Sequence, residues 1–131
     1  MHCKAVPLHE FLYYFIADLG PIDVFILRNS SLLSKSVISC HPVGVLLTED
    51  QGGIDPKVIA VPLTKIDPIF SAIRDIKDIQ ENVRTQLKHF IEHHKDLEEG
   101  KYVKLLRWEG KDAAKILISE AIKQYNKSID V

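Results

Sequence analysis

The sequence is poor in the features that define several common protein classes. It has two cysteines, Cys3 and Cys40, whose wide separation fits neither a disulfide framework nor a zinc knuckle. We therefore expect a thiol at a frayed terminus and a buried strand thiol, in a reducing, cytoplasmic environment. No uncharged apolar run approaches the ~20 residues that span a bilayer, so we expect no membrane partner.

An excess of charge of one sign is also missing. The 131 residues carry 17 Lys and Arg against 18 Asp and Glu, a formal net charge of −1. This balance argues against a nucleic-acid partner, which usually requires a basic surplus, and against a disordered acidic tail. Hydrophobic residues make up 46% of the chain and charged residues 27%, as in an ordinary soluble globular domain. The length predicts a single domain over residues 1–131.

The glycine-rich and serine motifs of common enzymes are absent as well. There is no P-loop, no G-x-G-x-x-G and no G-x-S-x-G. These absences give no support to a phosphate cradle built from a glycine-rich loop or to a serine hydrolase.

The first half of the chain predicts β-structure. Residues 22–27 (IDVFIL) are rich in β-formers, and residues 36–63 predict a hairpin that turns at 48–56. Pro42 and Gly44 predict a bulge in its first strand. The apolar run within residues 1–17 fits a buried strand or a helix turn equally well.

The second half predicts helices. Apolar residues at intervals of three or four follow Asp78, and Glu81 stands where a capping box would place it. Gly100 is a plausible end for this helical region. A last strand is expected over 101–108 and an amphipathic helix over 112–125. Strands first and helices later indicate the α+β class.

Four isolated acids near a strand and a turn form the first candidate site. They are Asp18, Asp23, Asp50 and Asp55. Carboxylates of this kind can hold hard divalent cations, and several together can share two metal ions that orient a hydroxide. The alternative is that Asp residues beside Gly and Pro only form turns and caps, and spacing alone favours that alternative.

Two further groups admit a functional interpretation. His89, Glu92 and His93 satisfy the H-x-x-E-H pattern of inverted zinc peptidases, although a solvated helix face explains them more simply. Lys57 follows the acidic turn, and Lys95 closes the long helix. A lysine beside metal-binding carboxylates suits phosphate oxygens, while each lysine alone is more simply a surface residue.

Three ordered blocks resemble the soluble family I inorganic pyrophosphatases over about residues 18–125. HFIEHHKDLEEGKYVK, at 89–104, is similar to the family pattern HFFEHYKDLEKGKWVK. VGVLLTEDQGGIDPKVIAVP, at 43–62, resembles the metal-binding hairpin of the family. GPIDVFIL, at 20–27, resembles the tail of the signature D-G-D-P-x-D-V.

The resemblance implies an α+β fold: an OB-like antiparallel β-barrel with two C-terminal helices packed outside. Residues 1–17 do not resemble the early strands of the family, so we expect a divergent N-terminal segment and an incomplete barrel. The implied activity is Mg²⁺-dependent hydrolysis of inorganic pyrophosphate to two phosphates. A homo-oligomer, a hexamer in bacterial members, is also implied.

The resemblance also assigns roles to individual residues. It implies metal ligation by Asp18, Asp23, Asp50 and Asp55, substrate binding by Lys57, His94 and Lys95, and catalytic roles for Asp18, Lys57 and Lys95. His94 stands where the family has a tyrosine, and Gly20 where it has the middle aspartate of its signature. Because Gly20 supplies no carboxylate to activate water, the alternative is a catalytically impaired remnant that folds or oligomerises without activity.

Overall fold

Six strands and two α-helices form the part of the chain that the structure, a computed structural model, describes: residues 2–7, 12–17, 23–27, 37–63, 72–93 and 97–129. The helices are α1 (Glu81–His93) and α2 (Lys111–Ile129), and a 3₁₀ turn at Ile76–Asp78 precedes α1. The strands are β1 (His2–Pro7), β2 (Leu12–Ala17), β3 (Asp23–Leu27), β4 (Val37–Asp50), β5 (Gly53–Pro62) and β6 (Val103–Gly110).

The strands form one sheet in the order β1-β2-β3-β5-β4-β6. All neighbours are antiparallel except β3 and β5, which run parallel. Strand β1 also pairs with β4, through three residue pairs between His2–Lys4 and Val37–Ser39, and this seam joins the ring β1-β2-β3-β5-β4. The predicted α+β class is confirmed, and the sheet is consistent with the expected incomplete OB-like barrel. The expectation of an antiparallel barrel is wrong at one place, because β3 and β5 are parallel.

Two strands, β1 and β2, lie within the first 17 residues. The strand alternative for residues 12–17 is correct, since β2 pairs with both β1 and β3. Cys3 lies within β1, opposite Ala17 and Ile38, so the expectation of a frayed terminus at this cysteine is wrong. Cys40 is a buried thiol in β4, as predicted.

The predicted hairpin is β4–β5. Its register shifts between Pro42 and Gly44, which confirms the expected bulge. At the turn, the backbone N–H of Gly52 donates to Asp50 Oδ1 over 2.8 Å, and Gly53 adopts φ +114°. A residue with a Cβ rarely adopts that φ, so glycine is required at this turn.

Each helix covers an apolar face of the sheet. Side chains alternate between the two faces along a strand, so β3, β4 and β5 each contribute to two cores. On one face, Ala114 of α2 packs with buried residues of the strands: Val24, Ile26, Cys40, Val45, Val58 and Ala60. On the other face, Leu87 and Ile91 of α1 belong to a cluster that includes Phe25, Leu46, Ile59, Val61 and Val103. Within the described ranges, no helix combines the length and apolar character that crossing a membrane requires.

The predicted capping box at Asp78 and Glu81 is wrong. The box forms three residues earlier, where the Asp75 side chain accepts from the backbone N–H of Ile76 and the Asp78 carboxylate accepts from the N–H of Asp75. Asp78 therefore belongs to the capping box of the 3₁₀ turn, and α1 begins at Glu81. Asp75 Oδ1 also accepts from the N–H of Lys111, which ties this turn to the start of α2.

Gly44 is a position where the fold leaves no room for a side chain. A Cβ there would lie 2.8 Å from the Glu109 carbonyl oxygen and 2.9 Å from Ile76 Cδ1. We predict that Gly44→Ala lowers the free energy of unfolding by about 1–3 kcal/mol, measured by urea denaturation. Gly52→Ala is the control, since its Cβ would meet only the Asp50 side chain at 3.2 Å. A loss at Gly44 no larger than that at Gly52 would contradict the packing described.

Candidate functional site

The parallel pairing of β3 and β5 brings two predicted site residues together. Val24 pairs with Val58, so Asp23 and Lys57, which immediately precede them, are neighbours across the sheet. Asp55 lies two residues before Lys57 on β5 and therefore projects from the same face. We call Asp23, Asp55 and Lys57 the Lys57 cluster.

The Lys57 ammonium bridges the two carboxylates. Its Nζ donates to Asp23 Oδ2 over 2.8 Å and to Asp55 Oδ2 over 2.9 Å. The Lys57 side chain is 9% exposed, whereas those of Asp23 and Asp55 are 25% and 38% exposed. The ammonium also lies 5.9 Å from the centroid of the Phe25 ring, within cation–π range.

The neighbouring carboxylates keep Lys57 in its charged form. Burial by itself would lower the pKa of Lys57, but the hydrogen bonds and negative charges of Asp23 and Asp55 outweigh burial and raise that pKa. The carboxylates therefore hold a protonated lysine in a largely buried place, where an unpaired ammonium would be costly.

Two residues that the sequence reasoning did not single out support the cluster. Thr48, fully buried on β4 opposite Asp55, donates its hydroxyl to the Asp55 backbone carbonyl. Phe25 lies two residues after Asp23 and contributes the ring near the ammonium. The signal available in the sequence was spacing, since each stands two residues from a predicted aspartate on the same strand.

The predicted metal ligands are only partly assembled among the described residues. Asp23 and Asp55 converge, whereas Asp50 lies at the turn and accepts the Gly52 N–H. Within the described ranges, no group of three or more His, Cys, Asp or Glu is arranged to hold a metal ion. Asp18, Gly20, His94 and Lys95 lie outside the described residues.

The two converging carboxylates nevertheless fit a hard cation in their chemistry. Oxygen donors of Asp are the ligands that Mg²⁺ takes in proteins. Asp23 and Asp55 already accept from one positively charged group, and that ammonium is a stand-in for a cation. Both carboxylates also remain partly exposed to solvent, from which an ion would enter.

The H-x-x-E-H residues serve other contacts. The rings of His89 and His93 lie 4.4 Å apart between centroids on the exposed side of α1. Glu92 Oε2 instead accepts the backbone N–H of Leu105 in β6, over 3.2 Å. The helix thus uses its glutamate to hold β6, and the zinc-peptidase alternative gains no support from the described residues.

The fold that carries this cluster matches inorganic pyrophosphatases with known structures. The Helicobacter pylori inorganic pyrophosphatase matches with a TM-score of 0.86 and 36% identity, over 92% of this chain and 75% of that one. The Thermus thermophilus inorganic pyrophosphatase matches with a TM-score of 0.79 and 35% identity, over 87% of this chain and 69% of that one.

Sequence comparison gives the same family. The inorganic pyrophosphatase family model matches residues 8–126. The inorganic pyrophosphatase of Nanoarchaeum equitans is 43% identical over 110 residues, which cover 84% of this chain and 69% of the relative. That of Rickettsia bellii is 44% identical over 110 residues, 84% of this chain and 63% of the relative. The chain belongs to the inorganic pyrophosphatase family, as predicted, and spans about two thirds of the length of these relatives. The family is metal-dependent in general.

The Lys57 cluster predicts a pH-dependent contribution to stability. At pH 8 we expect Lys57→Met to lower the free energy of unfolding by about 1–3 kcal/mol, because two partly buried carboxylates lose their counter-charge. Folding raises the pKa of Lys57, so this contribution is complete below the unfolded value of about 10.4 and is lost as pH rises through the folded value.

Urea denaturation of both proteins at pH 8 and pH 11 measures this difference. The gap between wild type and Lys57→Met should narrow at pH 11, and an equal gap at both values would contradict the ion bridge. Lys101→Met is the control, because Lys101 pairs with Glu98 at 3.5 Å between half-exposed side chains. It should cost less than about 1 kcal/mol at either pH.

Proposed function

We propose that the chain hydrolyses inorganic pyrophosphate to two phosphates with Mg²⁺. The observation that carries the proposal is the Lys57 bridge between Asp23 and Asp55, at 2.8 and 2.9 Å. It joins two of the three sequence blocks that resemble the pyrophosphatases, in a chain that belongs to that family. The chain spans about two thirds of the length of these relatives.

The residues of the cluster suit both charged components of the reaction, the Mg²⁺ cation and the phosphate oxygens of the substrate. Asp23 and Asp55, with Asp18 and Asp50, are the proposed Mg²⁺ ligands, through carboxylate oxygens. Mg²⁺, when bound, supplies Lewis-acid stabilisation of phosphate oxygens and lowers the pKa of water. Lys57 is the proposed point charge for a phosphate oxygen, together with Lys95 and with His94 as a hydrogen-bond donor.

We also propose a domain organisation, an oligomeric state and a cellular compartment for the enzyme, and no nucleic-acid partner. One domain over 1–131 is proposed to carry the activity, as a homo-oligomer. Two cysteines without a disulfide pattern favour the reducing cytoplasm. The near-neutral charge gives no electrostatic footprint for nucleic acid.

Phosphate release from pyrophosphate and Mg²⁺ tests the role of the cluster. We expect Lys57→Met and Asp55→Asn each to lower kcat/KM by about 10²–10³-fold, because each removes a charge from the reacting centre. Lys101→Met, whose ion pair lies outside the cluster, should stay within about twofold of wild type. Equal rates for Lys57→Met and Lys101→Met would remove Lys57 from the proposed mechanism.

Gly20→Asp tests the cost of the missing carboxylate. If a carboxylate at position 20 activates water in this chain, the variant should release phosphate at least about tenfold faster than wild type. A wild type and a Gly20→Asp variant that both match a buffer blank, while folded by circular dichroism, would overturn the enzymatic proposal. That outcome would favour the catalytically impaired alternative.

A further inference from the structure

The place between Asp23 and Asp55 is already held by a positive charge of the chain itself. Each carboxylate gives one oxygen, Oδ2, to the same Lys57 Nζ atom. The ammonium therefore has the position and the sign of charge that a divalent cation shared by these carboxylates would need. Lys57 and the proposed cation thus compete for the same two acceptors.

Within the Lys57 cluster, the two carboxylates are the polar groups that pair with the ammonium. The Lys57 side chain is 9% exposed, and the ring of Phe25 lies 5.9 Å from Nζ. Because the side chain is nearly buried, a cation that occupied both carboxylates would take from the ammonium the two partners that offset the cost of its burial. Two positive charges held a few ångströms apart also repel strongly.

We propose that Lys57 is a built-in counter-ion, which leaves Asp23 and Asp55 when these carboxylates take up a divalent cation. The displaced ammonium is then free to meet a phosphate oxygen. Lys57 would thereby couple cation uptake to anion binding at one place in the fold. This inference rests on the metal-binding part of the proposed function.

The coupling has a thermodynamic consequence that is separate from turnover. The site binds a cation only in those molecules in which Lys57 has left the carboxylates. The apparent dissociation constant for the cation is therefore the intrinsic constant divided by the fraction of such molecules. Linkage requires the reciprocal effect, so a bound cation must shift Lys57 away from the carboxylates by the same free energy. Both effects exist without pyrophosphate.

Mn²⁺ binding to the full chain measures the first effect. Mn²⁺ favours the same carboxylate donors as Mg²⁺, and its free concentration is read by electron paramagnetic resonance. We expect Lys57→Met to bind Mn²⁺ at least about tenfold more tightly than wild type, as for a site that Lys57 occupies in about nine molecules of ten. Lys101→Met, the same substitution in the Lys101–Glu98 pair, should stay within about twofold of wild type. Unchanged, weaker or absent binding in folded Lys57→Met overturns the proposal.

Amine labelling of the wild-type chain measures the second effect without relying on a substitution. Acylation of each lysine by an activated ester is followed by mass spectrometry, with and without saturating Mn²⁺. Lys57, nearly buried in its bridge, should acylate faster when Mn²⁺ is present, whereas half-exposed Lys101 should not change. A Lys57 rate that Mn²⁺ leaves the same or lowers overturns the proposal.

The outcomes separate this inference from the proposed activity. Tighter Mn²⁺ binding by Lys57→Met, in a chain that releases no phosphate, supports the counter-ion role and refutes hydrolysis by this chain. Phosphate release by wild type, with identical Mn²⁺ affinity in Lys57→Met, supports hydrolysis and refutes the counter-ion role.

Discussion

The candidate site depends on one ion bridge, in which Lys57 joins Asp23 and Asp55. Asp23 and Lys57 are 34 residues apart in sequence, and the pairing of β3 with β5 places their side chains 2.8 Å apart. Among the strands that the structure describes, β3 and β5 form the one parallel pair. Parallel neighbours need a crossover between them, and here β4 provides it by crossing to the far side of β5.

The bridge lies where an apolar face changes to a charged one. Phe25 and Ile59 follow Asp23 and Lys57 by two residues, so they project from the same face and pack into the core under α1. The same alternation that builds this core sets the direction of the charged side chains at its end. The core holds the strands in register, and that register fixes which carboxylates face the ammonium.

Much of the fold could be predicted from local patterns. The hairpin of β4 and β5, its bulge after Pro42, and both helices follow from periodicity and turn chemistry. The predicted cap at Asp78 was wrong because two carboxylates with similar spacing compete for the same start of a helical region, and Asp75 forms the box. The strand around Cys3 could not be predicted, since it exists only through its pairing with β2 and β4.

The sequence by itself determined the chemistry that is available: aspartates beside a strand and a turn, a lysine two residues after Asp55, and motifs sufficient to identify the family. Only the tertiary structure decided that Lys57 lies between Asp23 and Asp55, and that Glu92 holds β6 rather than facing a metal. The physical reason is that a period of two assigns a residue to a face of its own strand. The period of two does not specify which strand is the neighbour in the sheet. The order of the strands depends on the burial of apolar residues on both faces of the sheet at once.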